Sequence, residues 1–254
     1  MNNNVLCIDV GNTNITFGLY QGDFLTTTWR LETHNIKTTQ NVLDSIKANG
    51  GINVDIIIIG SVVPNITILL DDLKKLMPNT KVHFCKDQGI NWGVKNLFGN
   101  TREVGEDILL NGIAGYEKYK QALLIIDFGT ATTFDVFNND GNFEGTVIAP
   151  GVNLSLNALC KAAAQLPHVN VAPTKKIVGT NTKDCMQSGI FWGYVSMIEG
   201  LVEKIQKELK VELQVIATGG LAPLFEQKTP VIKIVDRFLT LDGLYILAKR
   251  NNLV

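Results

Sequence analysis

The sequence predicts a duplicated α/β protein, two copies of one βββαβαβα-type unit, and three observations carry that expectation. Short apolar runs of strand character alternate with helical periodicities in the same order in both halves. Two local motifs recur in that order, and no low-complexity linker parts the halves.

In the first half, near-continuous apolar or β-branched runs at 4–9, 14–20 and 24–30 read as strands, and further strands are expected at 55–61 and 80–85. Residues 39–49 place Val42, Leu43 and Ile46 on one face, and residues 66–77 place Ile66, Leu69, Leu70, Leu73 and Leu76 at helical spacing. The segment 104–120 reads as a helix joining the halves. The second half repeats the scheme with strands at 122–127, 131–137 and 143–149, helices near 152–165 and 182–209, and a strand at 212–218. A strand and a helix near 231–235 and 239–250 complete it, so the boundary is expected between a unit 1–115 and a unit 116–254.

The first echo pairs CIDVGNT with IIDFGTA, which sets Asp9 on Asp127 and Gly11 on Gly129 at a common offset of 118. The second pairs Gly60-Ser61-Val62-Val63-Pro64 with Gly219-Gly220-Leu221-Ala222-Pro223 at an offset of 159. Both follow an apolar strand, as two copies of one α/β unit require. The larger second offset implies about 40 extra residues in the second copy, assigned to the stretch between Lys161 and Lys183.

Composition narrows the function. With 254 residues, 45% hydrophobic and 19% charged, the chain can bury one large core or two. A net charge of -1, a pI near 6.3 and the lack of a Lys/Arg block give no bulk attraction to nucleic acid or to an anionic membrane. The start, MNNNVLCIDVG, has no basic leader segment and every apolar run is far shorter than a span, so a cytoplasmic protein is expected. Cys7, Cys85, Cys160 and Cys185 lack CxxC spacing, which argues against a zinc site and a disulfide framework. His34, His83 and His168 share no ligand spacing, and no nucleophile stands with a base. Trp29, Trp92 and Trp192 read as packing residues.

The chemistry gathers at the two echoed hairpins. Asp9-Val10-Gly11-Asn12-Thr13-Asn14 ends one strand and turns straight into the next, at Ile15 and Thr16. Gly11 permits a tight turn that brings amides near an anion, and Asn12, Thr13 and Thr16 add neutral donors. Asp9 at the strand end suits Mg²⁺ held through water. Asp127-Phe128-Gly129-Thr130-Ala131-Thr132-Thr133 offers the same parts again, and two such hairpins facing one cleft can clamp the phosphates of a nucleotide. Neither a Walker A nor a G-x-G-x-x-G pattern follows a strand. In Ala217-Thr218-Gly219-Gly220, adjacent glycines leave a flat surface for a base or ribose.

DVGNTNITFG, GEDILLN, DFGTATTFD, VIAPG, GTNT, MQSGIFWG and ATGG, in this order and over nearly the whole chain, resemble the motifs of type III pantothenate kinases. The resemblance implies an actin/hexokinase-like (ribonuclease H-like) fold with the nucleotide in a cleft between the units. It implies ATP-dependent phosphorylation of pantothenate in coenzyme A synthesis, with Mg²⁺, a monovalent cation (K⁺ or NH₄⁺) and a homodimer. Carried over by residue, it places ATP phosphates on Asp9 to Thr16 and on Thr130, and the monovalent cation at Asp127. It casts Asp107 as the base, and Phe98, Gly105, Glu106, Ile108 and Thr182 as residues of the pantothenate site.

The chain departs from the resembled pattern where Ile108 replaces an Arg, Phe98 a Tyr and Thr101 a Pro. The missing guanidinium and phenol thin the acceptor pocket; Arg102, six residues upstream of Ile108, and Lys95 further back are candidates for a replacement cation, although a solvated surface position is the expected role of both. Two alternatives stay open: a non-catalytic relative acting as an accessory factor, and a kinase of another small hydroxyl compound.

Overall fold

The computed structural model describes residues 4–50, 53–95, 104–163 and 166–254. Strands β1 (Asn4–Val10), β2 (Asn14–Gln21) and β3 (Phe24–Glu32) form an antiparallel meander, followed by a 3-10 turn at Thr33–Asn35 and helix α1 (Thr39–Ala48). Next come β4 (Ile56–Ser61), α2 (Pro64–Asp71), α3 (Leu73–Leu76), β5 (Lys81–Phe84) and α4 (Glu106–Tyr119). The sheet order is β3-β2-β1-β4-β5, with β4 and β5 parallel to β1. Every residue of β4, IIIIGS, is buried, which is why it reads as an unbroken apolar run rather than an alternation. Below it Leu6, Ile8, Phe17, Ile57 and Ile59 pack against Val42, Ile46, Ile66 and Leu70 of the helices. The single helix expected over 66–77 is two, because the ladder tightens to an Asp72 N–H to Leu69 O bond of 3.3 Å at the junction.

The second sheet repeats this plan. Strands β6 (Leu123–Phe128), β7 (Ala131–Phe137) and β8 (Phe143–Pro150) form a meander, then α5 (Val152–Ala162) and α6 (Thr182–Leu209) precede β9 (Gln214–Gly219), α7 (Ala222–Phe225), β10 (Ile234–Val235) and α8 (Leu239–Arg250). The order β8-β7-β6-β9-β10 and the strand senses match those of the first sheet. Between β8 and β9 run 63 residues, against 23 between β3 and β4, so the expected extra 40 lie in this crossover. The second echo needs a shift of one residue: Gly60 pairs with Asp9 while Thr218 pairs with Asp127, an offset of 158. Phe134, Phe191, Phe225 and Ile198 anchor the second core.

One element lies where the sequence order did not put it. Helix α8, expected in the second unit, packs on the first sheet, so one compact unit comprises the chain up to Lys118 together with Leu239–Val254 and the other is Tyr119–Phe238. Glycines make the docking close: a Cβ on Gly243 would fall 2.2 Å from Leu110 O, and one on Gly18 would fall 2.9 Å from a Leu241 methyl. Thr240 Oγ1 donates to Asn111 Oδ1 at 2.7 Å, and Tyr20 stacks on Tyr245 with centroids 4.3 Å apart. Tyr245 O–H in turn donates to Asp23, and burial with that carboxylate pushes the phenol up to about 12. Among the described residues no helix is long and apolar enough to cross a membrane.

Candidate functional site

In the first unit the carboxyl ends of β1, β4 and β5 form one edge, the usual ligand side of a parallel arrangement. Asp9 is half-buried there, opposite Thr16 on one side and Gly60 on the other. The turn after it is held from within. Gly11 N–H donates to Asn14 O at 2.9 Å, Thr33 Oγ1 to Gly11 O at 2.7 Å, and Thr33 N–H to Thr13 O at 2.9 Å. With those carbonyls drawn onto protein donors, the side chains of Asn12 and Thr13 project into solvent from a fixed loop, as an anion-binding turn requires. A Cβ on Gly11 would sit 3.1 Å from Asn14 O, so the tight turn favours glycine.

Helix α4 starts on the same edge. Val62 N–H bonds Val10 O at 3.1 Å, Gly105 lies beside the Val62 side chain, and Ser61 N–H donates to Glu106 Oε2 at 2.9 Å. The other oxygen of Glu106, a residue only 5% exposed, meets Lys86 Nζ at 2.8 Å. Glu106, expected at the substrate, thus has both oxygens engaged by the protein. Asp107 follows, half-buried, its Oδ1 accepting Ile108 N–H at 2.9 Å. A Cβ on Gly105 would fall 2.3 Å from that Oδ1, so the curl of the carboxylate over the helix start depends on a glycine. Burial pushes the Asp107 carboxyl above its ordinary value, against the pull of the Ile108 and Asp107 backbone N–H groups and the charge of Lys86. A raised value makes a better proton acceptor. Cys85, next to Lys86, is fully buried, and burial with the nearby Glu106, Cys7 and Asp9 charges holds its thiol far above the reactive range.

In the second unit Asp127, the penultimate residue of β6, lies opposite Thr133 and Thr218. Two glycines press on its turn from outside the hairpin. A Cβ on Gly151 would meet Thr130 O at 2.2 Å, and Gly219, with φ +88, would bring one to 2.6 Å from Asp127 Oδ1 and 2.7 Å from Phe128 O. Gly129, Thr130 and Gly220 are exposed. Beside this turn Asp135 is completely buried and accepts from Thr133 Oγ1 at 2.9 Å and Thr146 Oγ1 at 2.6 Å. Thr182 opens α6, exposed, behind the N-cap Asn181, whose side chain takes Asp184 N–H at 3.0 Å.

Of the expected residues, Asp9 to Thr16, Gly105, Glu106, Asp107 and Ile108 come together on the first unit's edge, and Asp127, Thr130 and Gly219 on the second unit's β6–β7 turn. Phe98, Thr101 and Arg102 lie outside the described residues. Sequence reasoning did not single out Lys86, Ser61, Gly151 or Asp135. Gly151 stood in the VIAPG motif, Asp135 in DFGTATTFD and Ser61 in the second echo; Lys86 carried no local signal.

The profile of the type III pantothenate kinase family matches residues 5–204. A type III pantothenate kinase of Paramagnetospirillum magneticum is 44% identical over 98% of both chains, and one of Gluconobacter oxydans is 43% identical over 97% of this chain and 93% of its own. Among solved structures, a Campylobacter jejuni protein described as a Baf family transcriptional activator superposes with a TM-score of 0.64 at 17% identity, covering 98% of this chain and 100% of its own. MreB 5 of Spiroplasma citri bound to AMPPNP gives 0.54 at 13% identity over 99% and 97%. The structural neighbours establish an actin-like α/β fold, and the near-full-length identity with the curated relatives shows that the chain belongs to the type III pantothenate kinase family.

Proposed function

We propose that the protein transfers the γ-phosphoryl group of ATP to the primary hydroxyl of pantothenate, giving 4'-phosphopantothenate, the first committed product on the way to coenzyme A. The observation that carries this reading is Asp107, a half-buried carboxylate of raised proton affinity at the strand edge that also bears the Asp9 turn. Asp107 accepts the hydroxyl proton as the oxygen bonds to the γ-phosphorus, while the bond to the ADP oxygen breaks. A loose phosphoryl-transfer transition state asks for such placement more than for a strong base. An accessory role without catalysis would leave Asp107 unused.

On this reading Asp9, Val10, Gly11, Asn12, Thr13, Asn14, Ile15 and Thr16 bind ATP phosphates with Thr130, and Gly219 and Gly220 lie under the nucleoside. Gly105, Ile108, Phe98 and Thr182 contact pantothenate. Among the described residues no cluster of three His, Cys, Asp or Glu is placed to hold a metal; the carboxylate of Asp9 near the end of β1 fits Mg²⁺, which keeps most of its waters and takes phosphate oxygens. Asp127, enclosed by Gly219, fits a monovalent cation, K⁺ or NH₄⁺. Bound together, the two ions would offset the triphosphate charge. A homodimer is supported by apolar surface on the second unit, where Ile148 on edge strand β8 is 67% exposed and Val178 is 79% exposed.

The test is coupled ADP release with pantothenate, Mg²⁺ and K⁺, with the product identified by phosphorus NMR, against a panel of other alcohols. Pantothenate-independent release, or preference for another alcohol, would reject the substrate. Sedimentation at micromolar concentration checks the dimer.

A further inference from the structure

We propose that Lys86 is the residue that binds the carboxylate of the acceptor, held in position by Glu106. This rests on the pantothenate reading above. The first turn of α4 presents Glu106, Asp107, Ile108 and Leu109, so the helix start brings two carboxylates and no cation of its own. An anionic acceptor reaching Asp107 would meet like charge unless a cation stands beside it. Lys86 stands there, its ammonium 2.8 Å from Glu106 Oε1.

Three features make this more than a surface ion pair. The backbone of Lys86 is fixed in a turn: Phe84 N–H donates to Asp87 Oδ2 at 2.9 Å, Asp87 N–H returns to Phe84 O at 3.0 Å, and Cys85 N–H bonds Ile59 O at 2.9 Å. The partner carboxylate is buried and tied by its other oxygen to Ser61 N–H, so Glu106 cannot follow the lysine into solvent. A charge is rarely buried to hold an exposed lysine for stability alone, since an exposed pair is worth about 0–1 kcal/mol. The lysine side chain itself is 71% exposed, and an ammonium has three donors, so one can serve Glu106 while others face a ligand.

Position assigns the ligand group. The strand order runs β2-β1-β4-β5, so Lys86, just past β5, lies two strands from β1, roughly 10 Å away, on the side opposite the β1–β2 phosphate turn. Asp107 sits over the end of β4, between them. A pantothenate with its primary hydroxyl at Asp107 and its chain directed away from the phosphates brings its carboxylate to the Lys86 side of this edge.

The experiment compares Lys86→Met, Lys86→Arg and wild type on pantothenate and on the analogue whose carboxylate is reduced to an alcohol. Lys86→Met should raise KM for pantothenate by roughly tenfold or more, the low end for one charge-assisted hydrogen bond, with a much smaller change in kcat. The preference in kcat/KM for pantothenate over the alcohol should shrink by the same factor, and Lys86→Arg should retain most of it. Equal losses on both acceptors, or a fall in kcat alone, would overturn the assignment and move the ammonium to the phosphoryl group or to structure. If turnover of Lys86→Met is too slow, calorimetric titration of pantothenate with a non-hydrolysable ATP analogue present replaces it, and an unchanged Kd overturns the proposal. A wild type that fails to phosphorylate pantothenate instead refutes the functional reading, which keeps the two failures apart.

Discussion

Gly219→Ala probes the junction of fold and proposed cation site. Gly219 has φ +88, and its missing Cβ would lie 2.6 Å from Asp127 Oδ1, 2.7 Å from Phe128 O and 2.8 Å from Phe128 C. An L-residue there carries strain of roughly 1–2 kcal/mol. Relief of the contacts needs displacement of order 0.5–1 Å, because carbon and oxygen settle at about 3.5 Å. Two of the three obstacles are backbone atoms of β6, which have no rotamer to escape into, so overpacking adds about 1–3 kcal/mol. The total of roughly 2–5 kcal/mol lowers Tm by about 5–20 °C for a chain of this size. Because Asp127 must give way, the K⁺ concentration for half-activation should rise as well. The control is Gly200→Ala in α6, where nothing lies within 4 Å of the added methyl. It should stabilise by about 0.5–1 kcal/mol. Calorimetry and a K⁺ titration of activity read both variants; a Gly219→Ala protein with wild-type Tm and wild-type K⁺ response would refute the reasoning.

Asp107→Asn should abolish turnover while leaving ATP affinity, read by calorimetry, near wild type. Its folded-state proton affinity is raised, so protonation favours the folded form and stability is lost as pH rises through that window; at neutral pH the ionised group destabilises, and Asn should raise Tm rather than lower it. The same sign predicts that wild-type kcat falls, on acidification, at a pH above the ordinary carboxylate range. Leu244→Ala, at a fully buried position of α8 facing Gly60, should destabilise by about 2–5 kcal/mol in chemical denaturation although it lies near the end of the chain. Replacing K⁺ with a bulky organic cation at constant ionic strength should slow the reaction, and an unchanged rate would remove the cation from Asp127.

Both sheets were legible because their central strands are buried on two faces and so spell unbroken apolar runs such as LCIDV, IIIIGS and LLIIDF. The hairpin carboxylates were legible because each motif is local. What escaped depends on contacts between residues far apart in sequence. The Gly243 to Leu110 approach that carries α8 back to the first sheet joins positions more than a hundred residues apart, and no periodicity within α8 names its partner. Lys86 acquires its meaning only from Glu106, twenty residues on, and Ser61 only from the same carboxylate. The one-residue shift in the second echo arose because Gly60 and Gly219 look alike in sequence yet sit on different rungs, opposite Asp9 and Phe128 respectively.

That shift bears on how one duplicated carboxylate can serve two ions. Asp9 and Asp127 hold the same rung of the same topology, but their neighbours differ. Beside Asp9 the parallel strand offers Gly60, and the space above that glycine is filled by Leu110, Leu244 and Glu106 Oε2, which brings the acceptor-side helix to the edge. The hairpin after it spans four residues between its last paired positions, Val10 and Ile15. Such a wide turn leaves room for the waters a small divalent ion retains. Beside Asp127 the strand offers Thr218, and the next residue, Gly219, bends its backbone onto the carboxylate. The hairpin there spans three residues between Phe128 and Thr132, and Gly151 presses on it from behind. An ion at Asp127 would have less room for retained water beside these two glycines, which suits a large monovalent cation that sheds its hydration readily. On the proposed reading, a single rung of register and a turn shorter by one residue separate a hydrated magnesium position from a potassium position.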